Sequence, residues 1–382
     1  MKNSARKKII ANTRRVVIKV GSGVLTRRTG LNLNVIDDLT TDIARLRQKK
    51  VEVLLVSSGA IAAGMRRMNI TRRPESLSQL QALAAMGQSS LIGVYEDALG
   101  RHGIKASQIL LTQDDLTHRK RYLNARNALR TLLTWDIVPV INENDAVAVD
   151  EIRFGDNDHL SAMVTNLIGA DLMINLTNID GLFDKDPRRH DDAELLTVVK
   201  TVTRKMIASA GQIPGALGSG GMSSKVIAAR KVAMGGAPTM VANGEKTGIL
   251  ADLFAGKPVG TLVLPQSRHL KTRQHWIAYT KSPRGRVVVD AGARRALESG
   301  KKSLLPSGVK AVEGRFREGD SVEIVDEQET SIACGLVNYR ASDLDKIKGV
   351  KTGQIESVLG YRGYDEVVHR DNMILTSKLK DF

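Results

Sequence analysis

With 382 residues, 42% of them apolar and 26% charged, the chain is longer than one hydrophobic core usually supports, so we expect two domains. The single cysteine, Cys334, excludes an internal disulfide, and no run approaches the roughly 18 apolar residues of a membrane span, so we expect a cytoplasmic protein with no membrane partner. The formal net charge is +16. Residues 1–50 contain 13 Lys and Arg against 3 Asp, whereas residues 281–382 contain 18 basic and 16 acidic side chains. The excess of positive charge near the start favours phosphate binding there over a nucleic-acid-binding tail.

Up to about Leu264, short runs rich in Val, Ile and Leu alternate with amphipathic stretches, the pattern of strands and helices around a buried parallel sheet. The first fifteen residues precede this pattern, lack the apolar run of a signal peptide, and are interpreted as a ragged N-terminal extension. The predicted strands are Val16 to Val20, Val51 to Val56, Gln108 to Leu111, Ile137 to Ile141, Leu172 to Leu176 and Pro238 to Ala242. Helices are predicted around Ile36, Leu39, Ile43 and Leu46, from Ser78 to Leu99, and from Asn157 toward Ile168. The order predicts a domain over residues 1–265 built on an open, mainly parallel α/β sheet sandwiched by helices, with ligands beyond the carboxyl ends of the strands.

The sequence changes character after Leu264. Residues 266–283 are polar and are predicted to form a linker, and the segments that follow are short and β-like. Strands are predicted at Arg286 to Asp290, Ser321 to Asp326 and Ile332 to Tyr339. We therefore expect a small β-rich domain over residues 284–368 and a C-terminal tail over residues 369–382.

The segment Lys19 to Gly23, Lys-Val-Gly-Ser-Gly, lies at the end of the first predicted strand. Small residues let backbone N–H groups approach a phosphate, and the lysine supplies a fixed positive charge. The spacing matches neither the P-loop nor the dinucleotide-binding fingerprint. Taken alone, the segment is therefore also compatible with a tight turn that carries an ordinary surface lysine.

A second glycine-rich segment precedes a predicted helix and ends in a lysine. It consists of Gly218, Ser219, Gly220, Gly221, Met222, Ser223, Ser224 and Lys225. Three glycines in four positions followed by a lysine predict a phosphate cradle with a second positive charge. A disordered Gly-Ser loop is the alternative explanation.

Polar residues follow two further strands. Ser57 and Ser58 open a helix whose free N–H groups can hold an anion, with Ser58 as a plain N-cap as the alternative. Asn142 to Asp145, and Gly155 to Asp158 shortly after, supply acceptors and amides that suit the ammonium and carboxylate of an amino acid. A metal cage is the competing interpretation, but no His or Cys stands at ligand spacing, so we predict no dedicated metal site.

Together these segments resemble the amino acid kinase family, in the branch that acts on glutamate and carries a C-terminal PUA domain, a domain of the RNA-binding type. The resemblance covers nearly the whole chain, and its most specific part is the run Ile-Asn-Glu-Asn-Asp-Ala-Val-Ala at residues 141–148. The other segments are Val-Ile-Lys-Val-Gly-Ser at 17–22, Ser-Gly-Ala-Ile-Ala-Ala-Gly at 58–64, Tyr-Leu-Asn-Ala-Arg at 122–126, Gly-Asp-Asn-Asp at 155–158 and Ser-Gly-Gly-Met-Ser-Ser-Lys at 219–225.

The resemblance implies roles for individual residues. It implies that Ser58, Asp145 and Asn157 bind glutamate, and that ATP is bound by Lys19, Thr177, Asn178 and the segment Ser219, Gly220, Gly221, Met222, Ser223, Ser224 and Lys225. Two positions depart from the family pattern, because Asn178 stands where an aspartate is usual and Gly23 where a serine is common. These departures put nucleotide affinity or selectivity, and one phosphate contact, in question.

The implied reaction transfers the terminal phosphoryl group of ATP, with Mg²⁺ carried on the nucleotide, to the side-chain carboxylate of L-glutamate. This carboxylate is already ionised at neutral pH, so the expected catalytic residues are Lys19 and Lys225, which neutralise the phosphates, and Asp158, which holds the lysines. A surface carboxylate at a helix start is the alternative for Asp158. The resemblance also implies a place at the opening of proline biosynthesis, with proline as feedback inhibitor, and we further expect a homo-oligomer and a glutamyl phosphate reductase as partner.

Two other functions remain open from the sequence. The first is a different kinase of the same fold, acting on acetylglutamate, aspartate or UMP. The second is an RNA-binding protein led by the C-terminal domain, which the 3% aromatic content and the near-neutral charge of that domain disfavour.

Overall fold

The computed structural model describes residues 2–27, 30–147, 157–185, 187, 190–211, 221–266, 283–299, 302–361 and 363–376. The chain divides into two compact units, Met1–His269 and Leu270–Phe382. Most of the predicted linker lies outside the described residues. Among the described helices, none combines the length and the apolar character needed to cross a membrane.

The first unit is built on a mainly parallel sheet, as the sequence predicts. Its strands are β1 (Arg15–Val20), β2 (Thr26–Arg27), β3 (Gly30–Leu31), β4 (Glu52–Ser57), β5 (Ala106–Leu111), β6 (Val138–Glu143), β7 (Leu172–Thr177), β8 (Val198–Val199), β9 (Thr239–Asn243) and β10 (Thr261–Val263). Within the described residues, eight of them form one sheet in the order β5-β6-β4-β1-β7-β9-β10-β8. Neighbours from β5 to β9 are parallel, and β10 is antiparallel to β9 and parallel to β8. All six predicted strands are confirmed, with ends shifted by one or two residues.

Helices cover both faces of this sheet. They are α1 (Lys2–Asn12), α2 (Ser22–Leu25), α3 (Leu33–Gln48), α4 (Ala60–Arg67), α5 (Leu77–Gly100), α6 (Gln113–Thr117), α7 (Arg119–Thr134), α8 (Asn157–Ile168), α9 (Arg204–Gly211), α10 (Met222–Met234) and α11 (Ile249–Phe254). The predicted helices are confirmed as α3, α5 and α8. Because side chains alternate along a strand, Ile18 packs with α3 and α5 on one face, whereas its neighbour Val17 packs with α7 and α8 on the other.

Two glycines allow α4 and α5 to pack closely. A Cβ atom at Gly64 would lie 2.0 Å from the carbonyl oxygen of Leu83, and one at Gly87 would lie 1.8 Å from that of Ala60. Any larger residue at either position therefore forces the helices apart. The helix α4 begins at Ala60, three residues after β4 ends at Ser57, so this contact lies next to the carboxyl end of β4.

The interpretation of the first fifteen residues as a ragged extension is wrong. Residues Lys2–Asn12 form α1, and Arg6 is only 2% exposed. Its guanidinium donates to the backbone oxygens of Thr197 at 3.3 Å, Lys257 at 3.3 Å and Gly260 at 3.2 Å, and also to that of Val259. The Arg6 guanidinium donates to several carbonyl oxygens at once and so anchors α1 to the rim of the sheet. The basic composition of the segment gives no indication of this contact.

The second unit contains a smaller sheet with its own apolar core. Its strands are β11 (Gly285–Val289), β12 (Val309–Gly314), β13 (Ser321–Asp326), β14 (Ser331–Leu336) and β15 (Met373–Leu375), in the order β12-β11-β13-β14-β15, and its helices are α12 (Ala291–Glu298), α13 (Ala341–Ile347) and α14 (Ile355–Leu359). The three predicted strands correspond to β11, β13 and β14, although β14 ends at Leu336 and not at Tyr339. The strand β15 pairs with β14 inside the segment expected to be a tail, so this part of the segment belongs to the sheet.

Candidate active site

The order of the strands places a crevice at the carboxyl end of β1. The chain passes from β1 to β4 on one side, and β7 pairs with β1 on the other side, so the direction of sheet growth reverses at β1. In open α/β sheets, ligands bind at such a switch point, beyond the carboxyl ends of the strands. The predicted polar segments follow β1, β4, β6 and β7 and therefore reach this one edge.

The centre of the crevice is the carboxylate of Asp158, in the first turn of α8. Its Oδ1 accepts hydrogen bonds from Lys19 Nζ at 2.5 Å and from Asn175 Nδ2 at 2.8 Å. Its Oδ2 accepts from Ser224 Oγ at 2.9 Å and from Lys225 Nζ at 3.1 Å. Since these donors come from β1, β7 and α10, one carboxylate ties two strands and a second helix to α8.

Burial excludes the surface alternatives for these three charged residues. Asp158 is 0% exposed, Lys19 is 3% exposed and Lys225 is 7% exposed. The two ammonium groups and the one carboxylate together carry a formal charge of +1. Because charges interact more strongly away from water, the positive charges of this cluster favour an anionic group placed next to it.

A second polar cluster joins the ends of β4 and β6 to α8. Asn157 Nδ2 lies 2.8 Å from Asn142 Oδ1, 3.0 Å from the backbone oxygen of Ser57 and 3.1 Å from Ser58 Oγ, and it donates to these acceptors. Ser58 is not the N-cap of α4, because that position is held by Gly59 in the left-handed region at φ 109°. The structure thus brings Ser58 and Asn157 together, with their polar atoms at the edge where the strands end.

Asp145 lies at the same edge, two residues beyond the end of β6, in a turn where it is half-buried. The strand before it ends in the buried residue Glu143, whose backbone oxygen accepts from Gln88 Nε2 at 3.3 Å. Gln88 in turn accepts from Gln108 Nε2 at 3.1 Å on its own side-chain oxygen. These contacts connect α5, β5 and the end of β6, and they fix the start of the turn that carries Asp145.

The residues expected to contact the nucleotide lie on the other side of β1. Thr177 is the last residue of β7, and its hydroxyl donates to Asn178 Oδ1 at 3.4 Å. The two residues that depart from the family pattern are neighbours in space, because a Cβ atom at Gly23 would lie 3.5 Å from Asn178 Nδ2. Gly221 is the N-cap of α10, whose first turn holds the segment from Met222 to Lys225. Ser219 and Gly220 lie outside the described residues.

A histidine and a lysine pack behind the Asp158 cluster. Burial and the nearby charge of Lys231 lower the pKa of His159 to about 4, so its imidazole is neutral at pH 7. Its Nδ1 lies 3.3 Å from Lys231 Nζ, and burial also lowers the pKa of this lysine. His159 therefore adds no positive charge next to Asp158 at neutral pH.

The described residues do not include a cluster of side chains suited to a metal ion. In the described part of the chain, no group of three or more His, Cys, Asp or Glu side chains has an arrangement that could hold a metal ion. Asp158 already receives four donors, two of them ammonium groups, which leaves it poorly suited to a cation.

Comparisons with known proteins show which family the chain belongs to. The model of the amino acid kinase family matches residues 14–243. The chain belongs to the amino acid kinase family. A model of the PUA domain matches residues 285–359. The glutamate 5-kinases of Syntrophus aciditrophicus and Geobacter sulfurreducens are each 48% identical to this chain over 97% of its length. The match covers 96% of the first relative and 100% of the second. The glutamate 5-kinase of Geobacter metallireducens is 50% identical over 97% of this chain and 100% of the relative. Among solved structures, the UMP kinase of Bacillus anthracis aligns with 67% of this chain and 97% of its own at 16% identity and a TM-score of 0.45, too distant a likeness to bear on function.

Two buried lysines thus lie at the same edge of the sheet as a cluster of amide and hydroxyl groups. Sequence reasoning missed Asn175, which donates to Asp158 from the middle of β7. The sequence feature that could have indicated this contact is the single amide in the otherwise apolar run Leu172 to Leu176, which we interpreted only as a strand.

Proposed function

We propose that this kinase transfers the terminal phosphoryl group of ATP to the side-chain carboxylate of L-glutamate, giving L-glutamyl 5-phosphate and ADP at the start of proline biosynthesis. The observation that carries the proposal is the pair of buried lysines held on one buried carboxylate at the switch point of the sheet. The extent of the similarity to glutamate 5-kinases, over 97% of the chain, supports glutamate as the acceptor.

The lysine pair is assigned to the phosphates of ATP. Lys19 binds one oxygen of the Asp158 carboxylate and Lys225 binds the other, so a phosphoryl group next to this carboxylate would lie near two positive charges. In the transition state the carboxylate oxygen, the transferred phosphoryl group and the leaving oxygen of ADP lie in line, and negative charge moves toward the leaving oxygen, so fixed positive charges beside the transferred group act most strongly there. Asp158 contributes by holding both ammonium groups in place before the substrates bind.

The amide and hydroxyl cluster is assigned to glutamate. Ser58 and Asn157 are already in contact, and Asp145 follows the neighbouring strand, so the three surround one end of the crevice. Asp145 supplies a negative charge for the ammonium group of the amino acid, and the hydroxyl of Ser58, which accepts from Asn157 Nδ2, supplies its own O–H as a donor for a carboxylate. The bound carboxylate needs no general base, since a glutamate side chain with a pKa near 4.3 is already ionised at pH 7.

ATP is proposed to lie on the other side of β1. Thr177 ends β7 and Asn178 follows it, and the residues from Gly221 to Lys225 form the N-cap and the first turn of α10. Mg²⁺ is proposed to enter with the nucleotide, where it would neutralise part of the charge of the phosphates.

Other properties belong to the same proposal. We place the enzyme in the cytoplasm, as a homo-oligomer, with proline as feedback inhibitor and a glutamyl phosphate reductase that takes up the product. We also propose that residues 1–265 and 284–368 are the two functional domains. Because every proposed site residue is in the first of them, the second is dispensable for the chemistry.

The acceptor is tested by measuring ADP release from ATP and Mg²⁺ with L-glutamate, L-aspartate, acetylglutamate and UMP, each at equal concentration. Glutamate-dependent release that exceeds the other three by at least about 100-fold in kcat/KM supports the proposal, since an unpaired polar group in a mismatched pocket costs about that much. A preference for any of the other acceptors contradicts it. RNA added in the same assay is expected to leave the rate unchanged.

A further inference from the structure

Asn175 is an anomaly within β7. Its strand neighbours Met173, Ile174 and Leu176 are buried and apolar, and Asn175 itself is 1% exposed. Its Oδ1 has no hydrogen-bond partner among the described residues. An amide buried with an unpaired oxygen destabilises the fold relative to an apolar side chain of similar size, so this residue is not explained by stability. Departures of this kind from local folding rules are expected at functional sites.

The other half of the amide has a partner. Asn175 Nδ2 donates to Asp158 Oδ1 at 2.8 Å, the oxygen that also accepts from Lys19. Asn175 and Lys19 are register partners on β7 and β1, so their side chains project side by side from the same face of the sheet. The two donors on Oδ1 thus come from the sheet, whereas the two donors on Oδ2, from Ser224 and Lys225, come from α10.

We propose that Asn175 is a positioning residue of the phosphoryl-transfer site, which fixes the orientation of the Asp158 carboxylate so that one oxygen holds Lys19 and the other holds Lys225. The inference rests on the proposed function, because it concerns the readiness of the same lysines for phosphoryl transfer. Lys19 and Asn175 both donate to Oδ1 from the sheet, and without Asn175 only the long side chain of Lys19 remains of these two donors. Displacement of either ammonium group then weakens the stabilisation of the transition state more than the binding of the substrates.

The first test is kinetic. Asn175→Leu keeps the approximate size of the side chain and removes the donor, so kcat for glutamate-dependent ADP release should fall about 10-fold while both KM values stay within about twofold. Asn175→Asp keeps the shape but turns a carboxylate toward Asp158, so kcat should fall further. If Asn175 only filled space, Asn175→Asp would retain the wild-type kcat, and that result overturns the proposal.

Thr239 provides a matched control on the neighbouring strand β9. It is 0% exposed, and its Oγ1 likewise has no hydrogen-bond partner among the described residues. Thr239→Val removes this polar atom without changing shape, and it should leave kcat unchanged. A fall equal to that of Asn175→Leu means that both substitutions act by perturbing the sheet, which contradicts a specific role for Asn175.

A double-mutant cycle tests the contact without relying on activity. In the wild-type background, Asn175→Leu should change the urea midpoint of unfolding little, because removal of an unpaired oxygen offsets the loss of a donor to a charge. In the Asp158→Asn background that charge is absent, so the same substitution should raise the midpoint. Equal shifts in both backgrounds overturn the inference. If the wild-type chain releases no ADP with glutamate, the proposed function fails, and the cycle still decides whether Asn175 holds Asp158.

Discussion

Replacing Asp158 by Asn removes the negative charge that two buried lysines share and leaves the shape of the side chain almost unchanged. In the folded protein, Lys19 and Lys225 would then lie close to a neutral amide, and the formal charge of the cluster would rise from +1 to +2. Only one atom of the amide accepts hydrogen bonds, so one of the two ammonium groups loses the acceptor that Asp158 provides.

The size of the effect follows from the distances. At an effective dielectric constant of about 20, pairs at 2.5 and 3.1 Å attract by about 5–7 kcal/mol each, and the desolvation of the charges offsets part of this. Removing one member of a buried pair typically costs about 3–5 kcal/mol. We therefore expect Asp158→Asn to lower the free energy of unfolding by about 3–5 kcal/mol and kcat by about 10²- to 10³-fold.

The assay combines urea unfolding, with and without ADP, and steady-state ADP release by the folded variant. ADP should stabilise Asp158→Asn more than the wild type, because its phosphates replace the missing negative charge. The control is Asp42→Asn, which removes another buried carboxylate that pairs with Arg45 and accepts from the backbone N–H of Ala251 on the opposite face of the sheet. This control should lose stability and keep its kcat. A folded Asp158→Asn variant with kcat near the wild-type value, or an equal loss in the control, refutes the reasoning.

Three further predictions concern neighbouring residues. Lys225→Ala should lower kcat about 10²- to 10³-fold with little change in the KM for glutamate, as measured by ADP release; near-normal turnover would remove this lysine from the transition state. Asp145→Ala should raise the KM for glutamate strongly while calorimetry still detects ATP binding, and the reverse pattern would mean that the two substrate sites are exchanged. The pKa of His159 is about 4 in the folded chain, so between pH 6.5 and 4 the unfolded chain binds a proton at this residue and the folded chain does not. The free energy of unfolding should therefore decrease as pH falls through this window, by about 3 kcal/mol in total. His159→Gln should flatten that part of the stability curve, and an unchanged curve would show that the histidine is not buried as a neutral group.

The sheet could be predicted because each of its strands is encoded by a local pattern of apolar residues. Runs such as Val16 to Val20 are apolar on both faces, and the segments that follow them carry the polar residues, so both the strand ends and the composition of the site follow from the sequence. Which side chains meet at those strand ends could not be predicted from local patterns. That Lys19 and Lys225 meet at Asp158 depends on contacts across 139 and 67 positions of the chain, which no local pattern encodes.

The residues that were missed share a physical reason. Arg6 is in a basic segment that resembles a solvated extension, and only the folded rim of the sheet supplies the carbonyls that bury it. Asn175 lies in an otherwise apolar strand. The apolar pattern predicts the strand but does not indicate a role for its one polar side chain. The strand β15 has only three residues and depends on pairing with β14. In each case the structure follows from a tertiary partner that overrides the local signal.

The central claim is that this chain forms an acyl phosphate on glutamate, and the most direct measurement is trapping of that product. The protein is incubated with L-glutamate, ATP and Mg²⁺ in the presence of hydroxylamine, and the hydroxamate is identified by mass spectrometry, with Lys225→Ala as the matched control. The account predicts γ-glutamyl hydroxamate formed in step with ADP by the wild-type protein and a yield lower by about 10²- to 10³-fold from the variant. ADP release without hydroxamate, or hydroxamate formed equally well by the variant, would contradict it.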